Sequence, residues 1–518
     1  MSSTNKFLKR SYRKGPKQMS TQDDLGRTTA TTRTAVPVAT PTGTLDTGAR
    51  KGTRLEGRMG GVSLALTVLA FSAPLSVVSG YIPFTIVFNG MGAPFAFVLA
   101  TVILLLFSVG YVTMAKWLPR PGAFYAFIST GLGKAMGLGA AYLAWISYLL
   151  VLTGTCAFLG ITATALIESF GGPHTAWWIW SALSWLIVSV FGYFNIELSA
   201  KVLSIAMVLE VTLVLIFDTF VTAKGGAEGL STTPFLPTTF LHGDIGVTML
   251  FAMMVFMGFE ATAIFREEVR SPERTIPRAT YGAVLFVGCL YTLSCYALVV
   301  AFGSGAVDTA TAAPAAMFNE AIGRFVSPVF VNVGLVLVIT SVLAAMLSIH
   351  NVIARYAFNL ANDGALPQYF SHVHPVHGSP GRASNLAAAA AGLVVLAMAT
   401  LPFDEGVLYA QMVGLGSLGV LALMAVVSVA VVTWFARNRS TIQESSIKCY
   451  VAPALAAVAL AITVVLAVAH LELLVGGEPG QYTWLVGILV AIFLLGVAVA
   501  LFFRHNNPVK YQHLGRSE

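Results

Sequence analysis

Apolar residues in this chain of 518 residues gather in long runs that short polar connections separate. A run of about 20 apolar residues is long enough to cross the hydrocarbon core of a bilayer as a helix. The pattern therefore predicts an all-α polytopic membrane protein with twelve transmembrane helices, spans 1 to 12, and no soluble domain. The predicted spans are roughly 62–89, 94–115, 136–166, 175–193, 200–222, 245–265, 280–302, 328–353, 386–402, 407–435, 451–472 and 482–503.

Composition agrees with lipid as the solvent of these helices. The chain is 56% hydrophobic and only 10% charged, whereas soluble domains contain about a quarter charged residues. Neither a zinc-protease, a nucleophile-elbow nor a nucleotide-binding motif occurs, so we predict neither an enzyme nor a primary pump, and no cofactor or metal. The four cysteines lie in or beside apolar runs without metal-ligand spacing, and we interpret them as small apolar side chains.

The net charge of +7 is concentrated at one end of the chain. Residues 1–58 contain 12 Lys and Arg but only 4 Asp and Glu, and the rest of the chain is almost neutral. This distribution argues against a nucleic acid partner. The segment is rich in Thr, Ser, Gly and Pro, which predicts a disordered basic tail. It either attracts anionic lipid headgroups or is solvated without a specific partner, and no obligate protein partner is evident.

Positive residues of short loops collect on the cytoplasmic side of a membrane. If the N-terminus is inside, only Lys224 and Arg324 fall in outside loops, and the other loop and tail positions of Lys and Arg fall inside. We therefore predict a multi-pass protein of the plasma (inner) membrane with both termini cytoplasmic, ending in a tail at 504–518.

Two spans contain signals for a break inside the membrane. Span 1 holds Pro74, Ser79-Gly80 and Pro83, and span 6 holds Gly258 followed closely by Glu260. Transporters use broken helices to bind substrate, because the freed backbone groups line a cavity. The breaks lie five spans apart, which suggests two five-helix repeats of opposite orientation. The predicted organisation is a first repeat over 59–222, an outer loop at 223–244, a second repeat over 245–435, and spans 11 and 12 over 436–503.

Three ordered motifs resemble those of the amino acid–polyamine–organocation permeases. FMGFEATAIFREEVRSPERTIPRAT resembles the sixth-helix signature of that family. KWLPRPGAFYAF and IARYAFNLANDGALPQYF resemble its stretches after helices 2 and 8. The resemblance covers most of residues 60–440 and implies a bacterial amino acid permease type. It also implies a leucine-transporter-like five-plus-five inverted repeat with two additional C-terminal helices, and secondary active transport of an amino acid or amine by alternating access.

The resemblance and the breaks together predict a substrate pocket. The substrate carboxylate is expected at the backbone N–H groups near Ser79-Gly80, with the Ser79 hydroxyl as a further donor. The ammonium is expected at freed carbonyls, and the substrate side chain is expected to face apolar and aromatic residues. Because no second buried ion is obvious, we predict a neutral substrate rather than arginine, lysine or a polyamine. The carbonyl groups are those of Val77, Val78, Met257 and Gly258, and the facing side chains are those of Met254, Phe259 and Tyr81.

Two carboxyl groups lie at depth in predicted spans, and the remaining acidic residues are interpreted as lying at helix ends or in loops. Ionisable residues in the hydrocarbon are costly and mark candidate functional sites. Glu210 lies nine residues beyond Lys201, roughly 14 Å into the bilayer at about 1.5 Å per residue. It is interpreted as a proton carrier, as a cation ligand together with Ser348 and Asn351, or as a packing residue, and the first is favoured. Glu260 either stabilises the broken helix or takes part in proton sensing that is linked to substrate binding.

The charge run after span 6 is either a solvated loop or part of an inner gate. The resemblance favours the gate, formed by Glu267, Glu268 and Arg270. The favoured function is proton symport. Exchange and Na⁺-coupled symport are the alternatives, and a nutrient sensor that binds without transporting is the alternative from another class.

Overall fold

The computed structural model describes residues 60–118, 123–194, 196–263, 266, 269–375, 377–400, 402, 405–475 and 478–516. The tail predicted over residues 1–58 lies outside this part of the chain, as do Glu267 and Glu268 of the predicted inner gate.

The described residues form a helical membrane protein, as the hydrophobic pattern predicted. Ten helices are long and apolar enough to cross a bilayer in this part of the chain. Each overlaps most of one of the predicted runs 2 to 5 or 7 to 12. Their bounds are Pro74–Trp117, Lys134–Glu168, Trp177–Phe194, Ser204–Lys224, Pro272–Ala312, Pro328–Asn362, Gly381–Thr400, Glu405–Arg437, Ile447–Ala469 and Thr483–Asn506.

Runs 1 and 6 are interrupted well inside the predicted span. Run 1 divides into the helix Gly61–Phe71 and a segment that begins at Pro74 and leads into span 2. Run 6 divides into the helix Ile245–Met254 and the short 3₁₀ helix Phe259–Ala263. The pieces on either side of each interruption are therefore half-helices, which end inside the protein instead of at its surface.

Short helices lie in the connections between the long ones. Ala123–Leu132 precedes span 3, and Pro237–Phe240 precedes the first half of span 6. Ala306–Ala312 and Pro314–Phe325 lie between spans 7 and 8, and Leu471–Val475 follows span 11. Pro508–His513 follows span 12.

Contacts between connections define two faces of the molecule. The face near the chain's end, here the terminal face, carries an ion pair of 2.8 Å between Lys116 Nζ and Glu444 Oε1. The hydrogen bond within this ion pair lowers the pKa of Glu444 below its usual value. On the same face the backbone N–H of Gly515 donates to Tyr125 Oη at 2.6 Å and to Asp363 Oδ2 at 3.0 Å. The C-terminal segment thus packs beneath the ends of spans 3 and 8.

The other face, here the opposite face, is formed by the connections around residues 225–244 and 303–327. Lys224 Nζ donates to the Phe325 carbonyl at 2.6 Å, and Tyr296 Oη donates to the Ser231 carbonyl at 3.0 Å. Asn89 Nδ2 donates to the Phe240 carbonyl at 2.9 Å. These bonds attach spans 1, 5 and 7 to the connections on this face.

Spans 3 and 10 pack closely against each other through glycines. A Cβ atom at Gly416 would lie 2.5 Å from the Ser147 carbonyl oxygen, and one at Gly154 would lie 2.6 Å from Val413 Cγ2. Small residues let membrane helices approach closely where lipid provides no hydrophobic driving force. This pair of spans forms one wall of the interior, and the broken spans 1 and 6 pack beside it.

Candidate functional site

The break in span 1 lies at Ser72-Ala73. Ala73 has a φ of +43°, and Pro74 is the first residue of the next helix. Proline lacks the N–H that a helix interior requires, and it restricts the residue before it, so the helix stops there. Of the three break signals in the sequence, Pro74 marks the interruption and Ser79-Gly80, where the substrate carboxylate was expected, does not. Those residues lie in the π-helical turn Val77–Tyr81, where the missing Cβ of Gly80 makes room for Phe158.

The break in span 6 lies where the sequence predicted it. The helix ends at Met254, a turn follows, and Gly258 has a φ of +112°. A Cβ atom on Gly258 would lie 2.5 Å from Phe71 Cγ. Glycine is required here because it alone adopts this backbone conformation readily and leaves room for the aromatic ring.

The two breaks meet in the interior, since Phe71 at the end of one half-helix packs on Gly258. The helices ending at Phe71 and Met254 present carbonyl ends, and the segment starting at Pro74 presents an N–H end. Helix termini leave backbone groups without partners inside the helix, and their partial charges favour anions at N-termini and cations at C-termini. The arrangement can therefore hold the two opposite charges of a zwitterion.

A small cavity lies between these breaks and spans 3, 8 and 10. The described residues that line it include no charged side chain. The lining residues are Phe71, Ser72, Ala73, Ser76, Val77, Tyr81, Val151, Thr155, Phe158, Met254, Val255, Met257, Val342, Ala345, Ile349, Val413 and Ser417.

Two serine hydroxyls on the cavity wall have no hydrogen-bond partner among the described residues. Ser76 Oγ lies in the first turn after the span 1 break, and Ser417 Oγ lies on span 10. Both side chains are buried. Because buried polar atoms in proteins are nearly always hydrogen-bonded, these two oxygens are suited to contact a polar ligand.

The predicted pocket residues divide into two groups. Val77, Tyr81, Met254 and Met257 line the cavity. The others are buried close by but belong to the packing around it. Val78 lies in the core, Ser79 Oγ donates to the Ser76 carbonyl, Gly80 packs on Phe158, Gly258 packs on Phe71, and Phe259 packs on Phe107.

Sequence reasoning missed Ser72 and Ser76, although Pro74 between them marked the break. It also missed the walls that spans 3, 8 and 10 contribute. Those helices are continuous, and most of their wall positions are apolar, so no local signal sets these residues apart.

Aromatic side chains close the cavity toward the opposite face. The ring centroids of Tyr81 and Tyr409 lie 6.3 Å apart, and those of Phe158 and Tyr409 lie 5.0 Å apart in a stacked arrangement. Tyr81 and Phe158 are also wall residues of the cavity. This cluster therefore separates the cavity from the connections on that face.

Hydrogen bonds of Glu260 connect the span 6 break to neighbouring spans. Tyr148 Oη donates to Glu260 Oε1 at 2.5 Å, and the Gly258 N–H donates to Oε2 at 2.8 Å. Tyr111 Oη donates to the Glu260 carbonyl at 2.5 Å. With both carboxyl oxygens bonded and the side chain 1% exposed, the arrangement favours the stabilising interpretation of Glu260.

Glu210 lies beside the span 1 break. Its side chain is 1% exposed, Ser341 Oγ of span 8 donates to Oε2 at 2.5 Å, and the Leu75 N–H is close to the carboxyl group. The other oxygen, Oε1, has no hydrogen-bond partner within the described part of the chain. Glu210 thus contacts the same helical turn that presents Ser76 to the cavity.

The partners expected for Glu210 on span 8 are not the ones it has. Its bond is to Ser341, and Ser348 lies seven residues further along, about 10 Å at the rise of a helix. Ser348 Oγ and Asn351 Nδ2 are buried without a hydrogen-bond partner among the described residues.

A third carboxyl group is buried in a span, contrary to the expectation that only Glu210 and Glu260 lie at depth. Asp218 of span 5 is 6% exposed, and Ser294 Oγ of span 7 donates to it at 2.9 Å. Because Asp218 is close to the end of span 5, the sequence did not predict that it is buried.

Of the predicted gate residues, only Arg270 lies in the described part of the chain, and its side chain is exposed. Arg266 makes the contact with span 2 instead, since its Nη1 donates to the Ala115 carbonyl at 3.2 Å. Sequence reasoning gave Arg266 no role.

Comparisons with known proteins agree with this architecture. The model of the family described as "Amino acid permease" matches residues 70–510. The branched-chain amino acid permease BcaP of Bacillus subtilis (strain 168) is 24% identical over 65% of this chain and 73% of its own length. The low-affinity putrescine importer PlaP of Escherichia coli (strain K12) is 25% identical over 61% of this chain and 70% of its own length. The aromatic amino acid transport protein AroP of the same strain is 24% identical over 49% of this chain and 56% of its own length.

Proposed function

Since this chain belongs to the amino acid permease family, whose members are transporters and not enzymes, we propose that it is a proton-coupled symporter of neutral amino acids. It works by alternating access and moves one substrate from the outside to the cytoplasm with at least one proton.

The observation that carries this proposal is the cavity between the two helix breaks. Helix ends of both polarities meet there, as an α-amino and an α-carboxyl group require. Ser76 and Ser417 offer hydroxyls without partners in the described structure. The substrate carboxylate then lies at the start of the segment that begins at Pro74, and the ammonium lies at the carbonyl ends near Phe71 and Met254.

The lining of the cavity supports a neutral side chain. Val151, Met254, Val342 and Val413 provide apolar surface, and none of the wall residues that the structure describes carries a carboxylate to hold a second ammonium group. An unpaired charge in such a site is costly. The names of BcaP and AroP give branched-chain and aromatic amino acids as their substrates, whereas that of PlaP gives putrescine, a diamine. The apolar wall favours the first two as guides to this chain.

Coupling to protons rests on the position of Glu210. One helical turn links its carboxyl group, through Leu75, with Ser76 on the cavity wall. Burial of an ionised carboxylate in the hydrocarbon is costly, so the group gains stability by binding a proton or a cation. A change of its protonation state and the presence of substrate then act on the same segment of span 1. Na⁺ bound with Ser348 and Asn351 is the alternative.

Topology follows the same proposal. Twelve spans, with the terminal face in the cytoplasm of a plasma (inner) membrane, agree with the excess of Lys and Arg in the connections of that face. The five-plus-five inverted repeat is supported by packing between spans five apart, because spans 2 and 7, 3 and 8, and 4 and 9 are neighbours. The inner gate of Glu267, Glu268 and Arg270 belongs to this proposal as well.

Reconstitution in liposomes tests the proposal. An inside-alkaline pH gradient is expected to drive accumulation of radiolabelled leucine, and a Na⁺ gradient at equal pH is not. Arginine and putrescine are expected to be poor substrates in the same panel. Uptake that requires internal amino acid would replace symport with exchange, and uptake driven only by Na⁺ would replace the coupling ion. Saturable binding without uptake would identify a sensor.

Removal of the Ser76 hydroxyl is expected to weaken substrate binding. Ser76→Ala eliminates one hydrogen bond to a charged group, which contributes about 1.5–3 kcal/mol, so the KM for leucine uptake should rise about 10- to 100-fold. Ser428→Ala is the matched control, because Ser428 is equally buried and bonds only to the Met424 carbonyl of its own helix. An unchanged KM in Ser76→Ala, with a raised KM in Ser79→Ala, would favour the position that the sequence predicted.

A further inference from the structure

Span 5 carries a second buried carboxyl group that the proposed mechanism does not use. Asp218 Oδ2 accepts a hydrogen bond of 2.9 Å from Ser294 Oγ of span 7. Its Oδ1 atom is buried and has no hydrogen-bond partner within the described part of the chain. Glu210 shows the same pattern, with one oxygen bonded to a serine of another span and the other without a hydrogen-bond partner among the residues that the structure describes. The two residues are eight positions apart on one helix, about 12 Å along its axis.

Hydroxyl groups line the interval between the two carboxyl groups. Three residues before Ser294, Tyr291 is fully buried, and its hydroxyl donates to the Ser72 carbonyl at 2.9 Å. The same hydroxyl lies 3.0 Å from Ser72 Oγ. Ser72 belongs to the span 1 break, three residues before Leu75, whose N–H is close to Glu210. Span 7 therefore places two hydroxyls between Asp218 and the break beside Glu210.

The surroundings of Asp218 contain no buried counter-ion in the described residues. Span 7 contributes Tyr291 and Cys295, and the helix Pro314–Phe325 contributes Glu320 and Arg324, both exposed. Residues 61–76 and 328–349, which also pack against span 5, contain no charged or titratable side chain. Span 4 contributes only Tyr193, near its end at the terminal face. Asp218 can thus change charge without disrupting an ion pair.

Asp218 lies nearer to the opposite face than Glu210 does. It precedes Lys224, at the end of span 5, by six residues, or about 9 Å. The ring of its neighbour Phe217 contacts Phe318 of the helix Pro314–Phe325 at a centroid distance of 5.0 Å. This short helix covers the approach to Asp218 from that face.

We propose that Asp218 is a second proton-binding site, which receives protons from the extracellular side and passes them to Glu210 by way of Ser294, Tyr291 and Ser72. Each hydroxyl accepts one proton as it releases another, so that no hydroxyl stays charged. Water bridges both the single helical turn between Ser294 and Tyr291 and the step from Ser72 to Glu210. The inference rests on the proposed proton symport and assigns it an entry route.

Two assays on the same proteoliposomes test the route. One measures net uptake of radiolabelled leucine driven by an inside-alkaline pH gradient, and the other measures exchange of internal for external leucine at equal pH. Asparagine mimics a protonated aspartic acid and keeps an oxygen for Ser294. Asp218→Asn should therefore reduce net uptake about tenfold or more and leave exchange within about twofold of wild type, since positioned proton-transfer groups contribute about 10²–10⁴-fold in rate.

Tyr291→Phe, which removes only the hydroxyl, should show the same difference between the assays. Thr212→Val is the control on span 5, because the Thr212 hydroxyl bonds to the Val208 carbonyl of its own helix. Equal losses in both assays would mean that Asp218 only holds spans 5 and 7 together. Net uptake at the wild-type rate in Asp218→Asn would also overturn the route. If Glu210→Gln nevertheless lost net uptake, proton symport itself would remain supported. If the pH gradient did not drive leucine uptake by the wild-type protein, the proposed function itself would be overturned.

Discussion

Substitution of Gly258 by alanine is expected to destabilise the protein and to abolish uptake. The residue has a φ of +112°, and a side chain in a left-handed conformation costs about 1–2 kcal/mol. The added Cβ would lie 2.5 Å from Phe71 Cγ, and such overpacking costs about 1–3 kcal/mol more. Displacement of Phe71 would also deform the cavity, since its ring is part of the wall. Thermal unfolding in detergent and leucine uptake in proteoliposomes measure the two effects.

Gly282→Ala is the matched control, because Gly282 lies in a regular helix with open space around its Cα. The double variant Gly258→Ala with Phe71→Ala separates the two causes. Removal of the ring relieves the clash but not the backbone strain, so stability should recover in part. A Gly258→Ala protein with the melting temperature and uptake of wild type would contradict the structure of this break.

Glu210→Gln is expected to separate substrate movement from proton movement. Glutamine has the shape of a protonated glutamic acid, and its side-chain oxygen still accepts a hydrogen bond from Ser341. Net leucine uptake driven by a pH gradient should fall about 100-fold, which is the order that a positioned proton-transfer group contributes. Exchange at equal pH should persist, because a carrier that remains protonated and loaded can still cross in both directions.

The Glu210→Gln experiment also distinguishes the three interpretations of that residue. Loss of both exchange and net uptake in Glu210→Gln would favour a packing role. Uptake that Na⁺ drives in the wild type but not in the variant would favour a cation ligand. Unchanged proton-driven uptake would eliminate the proton carrier. Ser341→Ala is a useful companion, because it removes the hydrogen bond to Oε2 and leaves the carboxyl group intact.

The span 6 break could be predicted from the sequence because its signal is local. Gly258 lies two residues before a charged residue in an apolar run, and the backbone conformation at Gly258 depends on the glycine alone. The span 1 break was located less well, since Pro74, Ser79-Gly80 and Pro83 each offer a place to interrupt a helix. Backbone geometry decided in favour of Ser72-Ala73, and Gly80 proved to serve the packing of Phe158.

The carboxyl groups show the limit of sequence reasoning most clearly. Glu260 and its partner Tyr148 are 112 residues apart, and Glu210 and Ser341 are 131 apart. No spacing rule along one helix identifies a donor on another. Asp218 lies within two turns of a helix end, where the sequence predicts water contact. The covering helix Pro314–Phe325 buries it.

The sequence by itself determined that lipid surrounds the helices, and it determined the helical class, most spans and the family. The length of an apolar run and a local motif are properties of consecutive residues. The sequence also indicated that spans 1 and 6 break. Only the tertiary structure decided which hydroxyls reach the cavity, which of them lack partners, and which carboxyl groups are buried together. Those properties depend on how spans 1, 3, 5, 7, 8 and 10 rotate and pack against one another, and packing between distant segments is not encoded in any single stretch of the chain.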